Sequence, residues 1–327
     1  MSYSFAVRSL VGAALLLGLG TASALAETWD MPLAYPATNY HSETAAEFAN
    51  AVTAATGGEI EIVTHPNGSL FKGEDIFRAV RTGQAPVGER LISALANEHP
   101  LFEIDSIPFL ATSFADARKL YDASRPALET VLEEMGLKFL YATPWPPQGL
   151  YVKSTVATVE DMQGVKFRAY NTATERLAEL MGAVPTKIEA AELTQAFATG
   201  TVDSMISSGA TGYDSKLWEH VDYWYDVQAW LPKNMVIVNL DAWNALDAET
   251  QKLITEKAAT AEERGWAKGE ELSEWYKTEL ATQGMKVDPP SPELAAGFKE
   301  IGETMMNDWL ENAGELGQEV IDAYRAM

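Results

Sequence analysis

The chain has 327 residues, a formal net charge of −23 and no cysteine. Nucleic acids and anionic membrane surfaces require basic patches on a binding protein. A chain this acidic is therefore a poor partner for either. The lack of cysteine excludes disulfides, thiolate nucleophiles and attachment of a lipid through a lipobox cysteine. A chain of this length can bury the cores of two ordinary domains.

The N-terminus has the order of a secretory signal. Arg8 precedes an apolar run over residues 10–19, and Ala24-Leu25-Ala26 forms a small-x-small cleavage site. Residues 1–26 are therefore predicted as a signal peptide cleaved before Glu27, which places the mature protein in a bacterial periplasm. The apolar run is shorter than the roughly 20 residues that span a bilayer, so no direct membrane insertion is expected.

The next predicted elements alternate between strand and helix. The spacing of apolar residues indicates strands at 28–33, 59–63 and 85–93 and helices at 42–55 and 74–81. This order predicts a mostly parallel sheet with right-handed crossovers. In such sheets, ligands bind beyond the carboxyl ends of the strands.

A second α/β unit follows. Strands are predicted at 137–142, 149–153, 165–169 and 202–207, and helices at 172–181 and 192–199. The apolar strand at 235–240 is expected to return to the first sheet. The predicted first domain comprises residues 27–144 plus 232–265, and the second comprises residues 145–231 plus 266–327.

Residues 248–283 are predicted to form one helix, because almost nothing interrupts the helical spacing of their apolar side chains. Such a helix is roughly 50 Å long, more than either domain alone would use. It is therefore expected to brace both domains. Gly265 and Gly269 are the positions where a kink is expected.

Arg168 is the strongest candidate for a binding residue. It lies at the end of the short apolar strand 165–169, just before Asn171 or Thr172 caps a helix. The free N–H groups of that helix also favour an anion, and a guanidinium binds a carboxylate through two parallel hydrogen bonds. A surface ion pair with an acidic neighbour is the alternative that the spacing leaves open.

Aromatic residues crowd the middle of the chain, and most of them are expected in the core. Trp145 and Tyr170 are the exceptions, because each lies in a loop or at a strand end beside the expected cleft. Their rings would enclose the apolar or aromatic body of a ligand.

No catalytic or metal-binding motif is recognisable. No two of the four histidines have metal-ligand spacing, and the chain lacks a GxSxG elbow, an SxxK motif and a phosphate-binding glycine loop. We therefore predict a binding protein with no cofactor and no metal, rather than an enzyme. A glycosidase that uses paired carboxylates stays open as an alternative, although no pair stands out.

Several segments, taken in order, resemble the periplasmic solute receptors of TRAP (tripartite ATP-independent periplasmic) transporters, the DctP-like family. The segments are residues 64–70, 105–110, 162–168, 192–197, 200–203 and 235–239 before Trp243. The resemblance implies an α/β fold with two Rossmann-like domains in a periplasmic-binding-protein arrangement and a long helix spanning both. It also implies delivery of a bound organic acid to a sodium-coupled pair of membrane subunits.

The resemblance places the family's carboxylate-binding arginine on Arg168. Some family members carry a second arginine where this chain has Gln148, so a second ion pair to the ligand is not expected. We predict a compact monocarboxylate with an apolar or aromatic body and a monomeric receptor. The other expected ligand contacts are polar groups of the second domain and hinge side and residues closing from the first domain: Ser207, Ser208, Asn234, Tyr35, Phe71 and Ser93.

Two other functions stay open on the sequence. The same cleft would serve a periplasmic sensor that presents its bound acid to a receptor kinase. A secreted hydrolase or lyase acting through a single carboxylate is the other alternative.

Overall fold

The computed structural model describes Met1 and residues 26–327, so the predicted signal peptide lies almost entirely outside the described residues. The strands are β1 (Glu27–Pro32), β2 (Ile60–His65), β3 (Val87–Leu91), β4 (Leu137–Pro144), β5 (Gln148–Val152), β6 (Lys166–Ala169), β7 (Val184–Lys187), β8 (Ser204–Ser208), β9 (Tyr223–Tyr225), β10 (Lys233–Asn239) and β11 (Lys286–Asp288). The helices are α1 (Tyr40–Ala55), α2 (Ile76–Arg81), α3 (Phe114–Glu134), α4 (Thr172–Leu180), α5 (Leu193–Ala198), α6 (Gly209–Asp214), α7 (Leu240–Ala245), α8 (Ala248–Thr282) and α9 (Pro292–Arg325).

The first lobe contains β1–β4 and β10. β1 and β2 pair in parallel, whereas β10 lies between β3 and β4 and is antiparallel to both. The expectation of a mostly parallel sheet is therefore wrong for this lobe. The physical reason is that β10 enters the sheet from the other lobe, in the direction opposite to β3 and β4. Asn234 therefore pairs with Leu91 on one side and with Thr143 on the other.

The second lobe is built on one mixed sheet with the strand order β11-β9-β5-β8-β6-β7. β6 is parallel to both β7 and β8, whereas β5 is antiparallel to β8 and β9. Along β6 only Lys166 is exposed, and Phe167, Arg168 and Ala169 are buried. Arg168 is therefore a buried residue near the end of β6, shortly before the helix α4 that Asn171 caps.

Besides the long helix α8, which packs against both lobes, two chain segments run from one lobe to the other, and they are hydrogen-bonded to each other. Between β4 and β5, the Trp145 N–H donates to the Pro232 carbonyl at 2.8 Å and the Gln148 N–H donates to the Trp230 carbonyl at 3.0 Å. The segment that leaves the first lobe is therefore tied to the segment that returns to it. This double crossing forms the floor of the cleft.

The long helix α8 braces the two lobes, as predicted. It packs against α1 and β4 of the first lobe and against α6 and β11 of the second. Gly265 and Gly269 do not interrupt its helical geometry; instead they let the helix approach Thr143 and Pro144 closely. The expected kink is absent from α8, and the non-helical residue is Gly314 in α9.

We expect Gly265→Ala to destabilise the protein. Alanine gains about 1 kcal/mol of helix propensity, but its Cβ would lie 2.5 Å from Thr143 Oγ1 and 2.9 Å from Thr143 Cγ2. Because both branches of the threonine are too close, rotating that side chain gives no relief. Overpacking costs about 1–3 kcal/mol, so the net loss should be about 1 kcal/mol and should lower the Tm.

The matched control is Thr260→Ala, at an exposed position of the same helix, which should change stability by less than about 0.5 kcal/mol. An unchanged or higher Tm for Gly265→Ala would show that the contact between α8 and β4 is loose.

Candidate ligand-binding site

A cavity lies between the lobes above the double crossing. Its volume is about 450 Å³, which includes the part open to solvent. The first lobe and the crossing segments contribute Tyr35, Arg90, Leu91, Trp145 and Pro232. The second lobe contributes Gln148, Arg168, Tyr170, Glu189, Ala190, Ser207, Ser208 and Thr211.

Most of the residues predicted to bind a ligand line this cavity, namely Arg168, Trp145, Gln148, Tyr170, Ser207, Ser208 and Tyr35. Three do not. Phe71 packs against the core of the first lobe, and Ser93 is buried and accepts a hydrogen bond from Asn171. Asn234 lies behind Trp145 and accepts the indole N–H at 2.9 Å.

Arg168 is 4% exposed, and its guanidinium faces the cavity. Its Nε donates to the Ile188 carbonyl at 2.9 Å, and its Cζ lies 4.9 Å from the centre of the Tyr170 ring. No carboxylate of residues 26–327 forms an ion pair with it, which excludes the alternative of a surface ion pair. Burial lowers the pKa of Arg168, while Tyr170 and Glu189 oppose that effect. The site therefore holds a desolvated positive charge that favours an anion.

A second guanidinium faces the same cavity and is not predicted by the sequence analysis. Arg90 of β3 forms a two-pronged ion pair with Glu189, with Nη1–Oε2 and Nη2–Oε1 distances of 3.2 Å. The two residues come from opposite lobes. Burial would raise the pKa of Glu189, but Arg90 and then Arg168 outweigh it and hold the pKa below its ordinary value. The available signal was the charged pair Glu89-Arg90 inside an otherwise apolar strand.

Aromatic rings form one wall of the cavity. The ring of Trp145 packs edge-on against Tyr35 at 4.8 Å between centroids and stacks on His41 at 4.0 Å. The Tyr170 hydroxyl donates to Gln148 Oε1 at 3.3 Å and accepts the Trp230 indole N–H at 3.1 Å. These contacts between protein groups restrict the rings, which reduces the entropy lost on binding.

The lobes touch each other around the cavity. Besides the Arg90–Glu189 pair, Asn171 Nδ2 donates to Ser93 Oγ at 2.9 Å, and Asn39 Nδ2 donates to Asp214 Oδ2 at 2.7 Å. Each contact joins a residue of the first lobe to one of the second. The cleft is therefore closed in this structure.

Within residues 26–327, no cluster of acidic residues and histidines has the arrangement of a metal site. None of the helices in that part of the chain combines the length and apolar character of a membrane span. The cavity instead offers one uncompensated cation, rigid aromatic surface and a few polar groups. That set of groups suits the binding of an organic acid.

Two α/β lobes that enclose a cleft with a buried guanidinium, unpaired within residues 26–327, are the arrangement of an extracytoplasmic solute-binding protein. Residues 33–312 match the family model of the bacterial extracellular solute-binding proteins, family 7 (DctP), and the chain belongs to this family.

Solved structures of two related receptors are similar to this chain in both sequence and fold. DctP6, a Bordetella pertussis extracytoplasmic solute receptor binding pyroglutamic acid, is 46% identical with a TM-score of 0.91, covering 92% of this chain and 100% of its own. A marine metagenome TRAP solute-binding protein specific for pyroglutamate is 48% identical with a TM-score of 0.91, covering 92% of this chain and 99% of its own.

The ectoine/5-hydroxyectoine-binding periplasmic protein UehA of Ruegeria pomeroyi is 23% identical over 99% of this chain and 97% of its own.

The predicted TRAP-receptor family and the predicted two-domain α/β class are confirmed. These relatives are binding proteins of transport systems, which confirms that the chain is not an enzyme. Members of the family are periplasmic, and their role is to deliver a solute to a membrane permease.

A buried carboxyl group lies behind Trp145, and we expect it to make the free energy of unfolding depend on pH. Glu89 Oε1 accepts a hydrogen bond from Asn234 Nδ2 at 2.7 Å, and Asn234 in turn accepts the indole N–H of Trp145. Burial raises the pKa of Glu89 to about 7, although the hydrogen bond from Asn234 lowers it. The folded protein therefore retains a proton that the unfolded chain releases at lower pH.

Glu89→Gln should remove this dependence. The stability that comes from protonating Glu89 is complete below its unfolded pKa and is lost as pH rises through about 7. Between about pH 5 and about pH 8, the wild type should lose about 1–3 kcal/mol more than the variant, measured by thermal or urea unfolding. Glu61→Gln, exposed on β2, should keep the wild-type pH dependence. Parallel pH profiles for wild type and Glu89→Gln would contradict the assignment.

Proposed function

We propose that this protein is a periplasmic receptor for pyroglutamate or a closely similar small cyclic monocarboxylate, which it passes to a TRAP permease. The observation that carries the proposal is the buried Arg168 guanidinium, which faces the cavity without a carboxylate partner among residues 26–327. The two pyroglutamate receptors of 46% and 48% identity support the choice of ligand.

The chemistry of pyroglutamate matches the groups in the cavity. Its single carboxylate would bind the two terminal amino groups of Arg168, since Nε already donates to Ile188. Its flat, compact ring would pack between Trp145 and Tyr170. The lactam has one N–H donor and one C=O acceptor, for which the Glu189 carboxylate and the Ser207 hydroxyl lie in the same cavity.

Ligand binding and lobe closure would be linked through the same residues. Both lobes supply walls of the cavity, so a bound acid contacts both and shifts the equilibrium toward the closed form. We propose that the permease recognises this closed, loaded form. The proposal includes export by the signal peptide of residues 1–26, a monomeric receptor, and domains with the boundaries predicted from the sequence.

Calorimetry with pyroglutamate tests the proposal. The wild type should bind, and Arg168→Lys should weaken binding by more than about 2 kcal/mol, because lysine cannot reproduce the two-pronged geometry in a buried site. Arg176→Lys is the matched control, since Arg176 is exposed and pairs with Asp308 on the surface. It should bind pyroglutamate like the wild type.

Native mass spectrometry of the purified receptor provides an independent test. The expected result is one bound molecule with the mass of pyroglutamate, released chemically unchanged. Near-native affinity in Arg168→Lys would overturn the role of Arg168. A wild type that ignores pyroglutamate but carries a different acid would overturn the ligand assignment.

A further inference from the structure

The cavity contains two guanidiniums and one carboxylate. Arg90 is almost fully buried, and both its terminal amino groups are bound to Glu189, whereas its Nε has no hydrogen-bond partner in the described part of the chain. Glu89, which precedes Arg90 on β3, does not line the cavity and instead accepts a hydrogen bond from Asn234. The charged side chains that line the cavity therefore sum to one positive charge.

We infer that Glu189 determines ligand charge: by occupying Arg90, it restricts the site to ligands with one carboxylate and excludes dicarboxylates. The inference rests on the proposed function of the cleft as a receptor for a small organic acid. It adds a residue that selects among acids by charge, separate from Arg168, which binds the carboxylate they share.

Arg90 has the geometry to bind a second ligand carboxylate, but Glu189 already occupies it. Its guanidinium lines the same cavity as that of Arg168, and it already binds a carboxylate in the two-pronged manner that guanidiniums favour. That carboxylate belongs to the protein rather than to a ligand. Gly73 of the first lobe covers the pair, since a Cβ there would lie 2.9 Å from both Arg90 Nη1 and Glu189 Oε2. The backbone of Gly73 therefore packs directly against the pair on one side.

The consequence for a dicarboxylate is electrostatic. With one carboxylate on Arg168, its second carboxylate would lie near Glu189, with no free cation in the cavity to receive it. Like charges brought together in a desolvated site cost several kcal/mol. A lactam avoids this cost because ring closure removes a carboxylate and an ammonium from the parent amino acid. The site thus separates the cyclic acid from its open dicarboxylate form.

Three variants test the charge count. Calorimetry would measure the affinities for pyroglutamate and for glutarate, an acyclic dicarboxylate with the same number of carbons. In Glu189→Gln, Arg90 becomes available, so glutarate affinity relative to pyroglutamate should rise by about tenfold or more. Arg90→Gln leaves Glu189 uncompensated beside Arg168, so both acids should bind weakly.

The double variant Arg90→Gln/Glu189→Gln returns the cavity to one positive charge, and its preference for the monocarboxylate should return with it. A purely structural role of the ion pair would not show this restoration, because the double variant lacks the pair as completely as either single variant. Glu192→Gln, three residues from Glu189 and exposed, is the control and should keep the wild-type ratio. Thermal unfolding would confirm that each variant is folded.

The inference is overturned if Glu189→Gln is folded and its glutarate affinity relative to pyroglutamate does not rise, or if the double variant keeps the altered ratio. Glutarate binding to Glu189→Gln is also scored by itself, against the wild type. A wild type that does not bind pyroglutamate therefore overturns the proposed ligand and leaves the charge rule to be judged by glutarate alone.

Discussion

The binding site depends on one buried charge, the guanidinium of Arg168. The Arg168 side chain is buried, its Nε donates to the Ile188 carbonyl, and no carboxylate in the described chain pairs with it. Holding an ion out of water without a partner costs several kcal/mol. The fold tolerates this cost because the Tyr170 ring lies against the guanidinium and the cleft gives it access to a solute. In the proposed function, the ligand carboxylate is the partner of Arg168 that the described part of the protein does not supply.

The same charge explains how a ligand would favour closure. Three side-chain contacts around the cavity join the lobes in this closed structure, namely Arg90–Glu189, Asn171–Ser93 and Asn39–Asp214, and of these only the first joins two full charges. Closure would also remove Arg168 from water, which would oppose these contacts in an empty cleft. In the proposed function, a bound acid would remove that opposition and add contacts of its own. The open and closed forms then differ in free energy according to whether an anion is present, as a transport receptor requires.

Local patterns predicted much of this molecule, because they depend on neighbours in the chain. The long helix, the strand before Arg168 and the helix that Asn171 caps follow from apolar spacing and capping chemistry. The antiparallel position of β10 did not follow, since strand direction is decided by where the chain re-enters the first lobe. The Arg90–Glu189 pair was missed for a related reason: its members are separated by 99 positions and meet only when the lobes close.

Closure must bend the molecule where the lobes are least bound to each other. The start of β10 is anchored in the first lobe by the buried Lys233–Asp105 pair, and the Lys233 N–H also donates to Asp105 at 2.8 Å. On the other strand, α8 presses its glycines against Thr143 and Pro144, which holds the end of β4. Both crossing segments are therefore rigid up to Trp145 and Pro232. We therefore expect bending in the few residues beyond them, which would move Arg168 and Tyr170 together toward the Trp145 wall.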